Sequence, residues 1–109
     1  MRNYVHISDI CEAFLHTIRE WETCKNETYN VGNDALNMNK LELAQRIQKQ
    51  LPLEIVQAEY TQDPDVRDYV VSSEKFYRTG YQCRHDLDAG ITQLIQAYKM
   101  IDTPWYGNY

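Results

Sequence analysis

No run of apolar residues in this sequence approaches membrane-spanning length, and no apolar leader segment follows Met1. A membrane-crossing helix and a secretory signal are therefore not expected. Cysteine is scarce. Cys11, Cys24 and Cys83 form no C-x-x-C pair, and an odd count without a leader predicts reduced thiols in a cytoplasmic protein. Glycine is scarce too, and positions 32, 80, 90 and 107 are too dispersed for a phosphate-cradling loop. Basic residues are outnumbered, 11 Lys and Arg against 16 Asp and Glu, for a formal charge of −5. That excludes a nucleic-acid backbone as partner, which needs clustered cations. It leaves room for a small anion, because one or two well-placed arginines can hold a phosphate inside an acidic protein. His6, His16 and His85 are scattered, with no His or Cys at ligand spacing, so no metal site is predicted.

What remains is an ordinary globular composition. Hydrophobic residues make up 43% of 109 residues, enough for one domain over 1–109 with a modest core. Residues 2–10, Arg2-Asn3-Tyr4-Val5-His6-Ile7-Ser8-Asp9-Ile10, read as a short half-buried strand running into a capped helix. A cation at such a junction can meet an anion. The first helix is expected over 9–21, capped by Ser8 or Asp9, with Ile7, Ile10, Cys11, Phe14, Ile18 and Trp21 at helical spacing. A strand at 27–31 follows. The next helix starts after Asn39, whose pairing with Glu42 fits the reciprocal cap pattern, and Pro52 bars its extension. A second strand at 53–58 carries β-branched Ile55 and Val56.

Strand, helix and strand in that order predict a right-handed βαβ unit, with parallel strands near 28–31 and 53–57. An antiparallel pair under a helix is the alternative. Further on, 61–65 reads as an acidic loop and 69–71 as a short strand. A short helix from Ser72 or Ser73 to Tyr77 is stopped by Gly80, and a last helix runs from about Asp86 to Met100. The tail from Thr103 is aromatic and without pattern.

The opening segment resembles the R-[DN]-[FY]-[VI]-H-[VI]-x-D-[VI] stretch of extended short-chain dehydrogenase/reductase enzymes, the NAD(P)-dependent nucleotide-sugar epimerases and dehydratases. Four more segments follow in the family's order. Glu27-Thr28-Tyr29-Asn30-Val31-Gly32 is similar to G-E-x-Y-N-V-G, and 39–50 takes the place of the S-x-x-E-L-A helix. Pro64-Asp65-Val66-Arg67-Asp68-Tyr69-Val70-Val71-Ser72-Ser73-Glu74-Lys75 resembles G-D-V-R-x-x-x-A-D-x-S-K. Thr79-Gly80-Tyr81 with Leu87-Asp88-Ala89-Gly90-Ile91 resembles L-G-[WY]…L-x-x-G-[IL]. Five ordered pieces over about a hundred residues are more specific than any one of them.

The resemblance implies an α/β fold: the small C-terminal, substrate-binding lobe of such an enzyme, with a βαβ unit, packed helices and no complete Rossmann domain. It implies that Arg2 contacts a substrate diphosphate and Asp65 a nucleotide ribose. Guanidinium suits phosphate oxygens and a carboxylate accepts from vicinal hydroxyls. Many relatives carry a second phosphate-binding arginine three residues before that aspartate; Gln62 stands there, and Arg67 or Arg84 is the available substitute. Each position also has a plain structural reading: Arg2 solvated, Asp65 in a turn after Pro64, Asn30 in a turn, Gly32 at a positive φ. The dinucleotide glycine motif and the catalytic Tyr-x-x-x-Lys pair are missing from this sequence.

The expectation is therefore a lobe that binds a nucleotide sugar but no cofactor by itself and is inactive alone. NAD(P) and the hydride chemistry would belong to a missing cofactor-binding domain. Its partners would be that domain or a second copy, with neither nucleic acid nor membrane. The rival is a non-catalytic protein-interaction module that keeps the fold.

Overall fold

The computed structural model describes residues 1–57 and 68–101. Their order is strand β1 (Arg2–Asn3), helix α1 (Ile7–Arg19), a one-turn helix α2 (Trp21–Cys24), a 3₁₀ turn (Asp34–Leu36), strand β2 (Asn37–Met38), α3 (Lys40–Gln48), a short α4 (Glu74–Tyr77) and α5 (Leu87–Met100). The protein is a small mixed α/β fold, mostly helical, with one two-stranded sheet.

Helix boundaries follow their caps. At α3 the Asn39 side chain accepts from Glu42 N at 2.8 Å, and Glu42 accepts from Asn39 N at 2.7 Å, the expected reciprocal pair. At α5 the Asp86 carboxylate accepts from Ala89 N at 2.7 Å. α1 begins two residues earlier than expected because its cap is neither Ser8 nor Asp9. His6 caps it, with ring Nδ1 accepting from Ser8 N at 3.1 Å. Gly80 lies at φ +95, the left-handed region a glycine enters without strain, and ends the α4 turn as expected.

The βαβ expectation is corrected. Neither 28–31 nor 53–57 forms a strand. The sheet is instead antiparallel, pairing Arg2 with Met38 and Asn3 with Asn37. The physical reason is that β-propensity records how a side chain fits a pleated neighbour, and these two segments have none. Residues 27–31 are held by side chains: Lys75 Nζ donates to Thr28 O at 3.0 Å and to Glu27 at 2.7 Å, and Asn30 Nδ2 donates to Ser72 O at 3.2 Å. None of the backbone N–H groups of 27–31 bonds to another described residue.

The strand expected at 69–71 is absent as well. Here the Asn37 side chain does what a third strand would. Its Nδ2 donates to Val71 O at 2.8 Å and its Oδ1 accepts from Val71 N at 3.0 Å. A primary amide carries one donor edge and one acceptor edge at peptide spacing, so it satisfies Val71 without a ladder.

The core lies where α1, α2, α4 and the 81–83 loop meet. Ala13, Cys24, Phe76 and Tyr81 are buried, with Tyr29, Val31, Tyr77 and Cys83 packed against them. Phe76 stacks on Tyr81 with centroids 4.6 Å apart, and His16 meets the Phe76 ring edge-on at 5.5 Å. α3 rests on α5 through the Arg46–Asp88 pair at 3.0 Å and Gln50 Nε2 donating to Asp88 O at 3.0 Å.

α1 turns its polar face, Asp9 and His16 with Ala13 between them, toward this core. Its apolar stripe faces outward: Ile7, Phe14 and Ile18 are 69–70% exposed, and Trp21 at the start of α2 is 58% exposed. The period was legible in the sequence, but a period does not say what covers the stripe.

Candidate functional site

Arg2, the first predicted ligand residue, sits half-buried on β1 opposite Met38. Its guanidinium carbon lies 5.4 Å from the centroid of the Tyr69 ring. That contact joins the opening segment to the 64–75 segment, two of the five pieces that carry the family resemblance. Asp65, Arg67 and Gln62 lie outside the described residues. Arg84 does not join Arg2 as a second cation in any described contact; its backbone N–H points instead to Asp9.

Asp9 is the best-built polar group of the described residues, and the sequence assigned it only to a helix cap. It is 1% exposed. Its carboxylate accepts from Arg84 N at 3.0 Å, His85 N at 3.2 Å and His85 Nδ1 at 2.8 Å. Its carbonyl accepts from the Tyr81 hydroxyl at 2.7 Å. Burial alone would raise the carboxyl pKa, but the hydrogen bonds from His85 and Arg84, with the neighbouring His85 charge, outweigh it and hold Asp9 below its ordinary range. Asp9 therefore anchors the 84–85 loop to α1 from 75 residues away in sequence. No local pattern could have found that partner.

His85 in turn stacks on His6, with ring centroids 4.4 Å apart and planes 14° from parallel. His6 Nε2 meets Gln93 Oε1 of α5 at 2.9 Å. Behind this stack an apolar groove of about 530 Å³ runs between the 4–7 segment, α3 and α5, with His6 and Asp86 among its few polar residues.

A second polar cluster fixes the 32–34 turn. Asp34 accepts from Ser73 N at 2.8 Å and from the Ser72 hydroxyl at 3.1 Å. Tyr77 donates its hydroxyl to Gly32 O at 2.7 Å. Gly32 is needed for close approach, not for the positive φ expected of it. A Cβ there would stand 2.2 Å from Asn3 Oδ1.

Burial raises the Cys83 and Tyr77 pKa values, so neither is primed as an anion at neutral pH. His85 Nδ1 is committed to Asp9. No group of three metal-ligating side chains occurs among the described residues. The space a glycine might offer a dinucleotide is filled: Asn3 packs on Gly32 and the His6 ring on Gly90. These residues do not fit an NAD(P) site. No helix among the described residues is long and apolar enough to cross a membrane. No protein-family model matches the chain.

Proposed function

We propose that this chain is the nucleotide-sugar-binding lobe of an NAD-dependent epimerase or dehydratase, orienting the sugar for hydride chemistry carried by a separate cofactor-binding domain. In this reading Arg2 binds the diphosphate, Asp65 the ribose, and Arg67 supplies further positive charge. The contact of Arg2 with Tyr69 supports the reading, because Tyr69 belongs to the same resembling stretch of sequence as Asp65 and Arg67. NAD(P) belongs to the partner domain. The protein belongs to the cytoplasm, and the unbridged Cys11, Cys24 and Cys83 agree with that.

The uncovered surface supports a docking partner. The apolar stripe of α1 borders a groove lined by Ile10, Phe14, Thr17 and Val31, beside the unbonded N–H groups of 27–31. An extended segment with free backbone donors beside an apolar helix face suits the edge of another sheet. The same surface favours the second reading, a non-catalytic protein-interaction module.

Titration with UDP, GDP, CDP and dTDP, followed by NMR shifts in low-phosphate buffer, separates the two. Weak binding with shifts around Arg2 is expected. Arg2→Ala should lower affinity roughly ten-fold or more, since a charge-assisted bond contributes about 1.5–3 kcal/mol. Asp65→Asn should cost less, because an amide oxygen still accepts from a ribose hydroxyl. Shifts clustered elsewhere, or an Arg2→Ala variant that binds as well as the parent, would refute the ligand assignment.

A further inference from the structure

The cap of α1 is a titratable ring, and its lone pair is what holds the helix start. His6 Nδ1 accepts from Ser8 N at 3.1 Å. An acceptor Nδ1 places the ring proton on Nε2, where it is donated to Gln93 Oε1 at 2.9 Å. One neutral imidazole thus closes the first turn of α1 and ties it to α5. Its face is covered by His85 at 4.4 Å, and its Cδ2 edge by Gly90, where a Cβ would stand at 3.2 Å.

We propose that His6 is an acid-released latch between α1 and α5. A proton on Nδ1 turns the acceptor into a second donor facing Ser8 N–H, so the cap is lost while both ring nitrogens seek acceptors. His85 behaves differently. A proton on its Nε2 leaves the Nδ1–H bond to Asp9 in place. With both rings protonated, two imidazolium ions would face each other across the 4.4 Å stack and meet like charge.

The charged and titratable groups around the latch do not restore the acceptor. On α1, Asp9 is committed to Arg84 N, His85 N and the His85 ring. Asp86 shares the groove with His6, and its carboxylate caps α5 through Ala89 N at 2.7 Å. Asp88 on α5 pairs with Arg46 of α3. Tyr4, on the same segment as His6, lines the groove. The latch is thus closed while the ring is neutral and opens when the ring takes a second proton, and imidazole is the side chain whose ordinary range lies between about pH 5 and 8.

The test uses the full chain with ¹⁵N-labelled histidine, followed by NMR from about pH 7.5 to about pH 5, which lies within that range. Two-bond ring spectra should show His6 as the Nε2–H tautomer and His85 as Nδ1–H at neutral pH. As His6 gains its proton, the Ser8 amide should exchange roughly five-fold faster or more after correction for intrinsic rate, the scale of a lost helix cap. His6→Asn keeps a capping oxygen that does not titrate, so Ser8 exchange should become flat with pH. A His6 found as Nδ1–H at neutral pH overturns the proposal. So does Ser8 protection that persists while His6 titrates, or an unchanged acid step in His6→Asn. Should that variant not fold, the tautomer and exchange of the parent chain decide the question alone.

Discussion

Replacing Asp9 by alanine should be among the most damaging single changes to this fold. The carboxylate is 1% exposed and receives two backbone N–H groups and one imidazole N–H. Alanine leaves the amides of Arg84 and His85 without their acceptor. A buried donor left unsatisfied costs about 1–3 kcal/mol, and these two amides are only part-buried, so together they give about 2–5 kcal/mol. The His85 ring loses its partner as well, but at 35% side-chain exposure water recovers most of that. A loss of about 3–5 kcal/mol follows, against the roughly 5–15 kcal/mol that holds a typical domain together. Urea denaturation read by far-UV circular dichroism measures it directly. Asp9→Asn is the informative companion. It keeps one acceptor oxygen and the volume but loses the charge, so it should lie between alanine and the parent. Acid adds a check with a definite sign. Because the Asp9 pKa is held below its ordinary value, its contribution is fully present above about pH 4 and is lost as pH falls below that. The parent should therefore show an acid loss in that window that both variants lack. If alanine costs less than about 1 kcal/mol, or the acid loss survives in both variants, Asp9 is not the anchor of the 84–85 loop and the geometric reasoning fails.

Gly32→Ala should destabilise by about 1–3 kcal/mol through overpacking against Asn3 Oδ1. Adding Asn3→Ala should recover part of that in thermal melts, and no recovery would mean the close approach is not what the glycine serves. Phe14→Glu with Ile18→Glu should leave stability within about 0.5 kcal/mol per site, since both side chains are exposed, while reducing any self-association in sedimentation. Stability losses of several kcal/mol there would show that the stripe is covered within the chain.

The parts of the fold legible in the sequence are those decided within a few residues. The Asn39–Glu42 capping pair, the start of the last helix near Asp86 and the Gly80 stop each depend on groups no more than one turn apart, and each was found where the pattern put it. The Arg2 strand was legible too, though its partner was not. Pairing it with Asn37–Met38 required the 3₁₀ turn at Asp34–Leu36, which is held partly by distant groups, Tyr77, Ser72 and Ser73, in a stretch that reads as loop. The expected strands at 28–31 and 53–57 failed for the opposite reason. Their side chains favour a sheet, but a sheet needs a neighbour, and local composition cannot supply one. The site divides in the same way. Arg2 could be nominated from its segment alone. Asp9 could not, because its carboxylate is meaningful only once Arg84 and His85 arrive, 75 and 76 positions away. The same holds for His6, where the sequence offers one histidine among three and the fold adds Ser8, Gln93 and the His85 ring. Residues that act through a distant backbone group leave no spacing to read. The outward stripe of α1 is the converse case, a local pattern whose covering surface is set by whatever packs on it. Val31 lines a groove with Ile10 and Phe14 of α1, and a partner of this chain is best sought along that outward stripe.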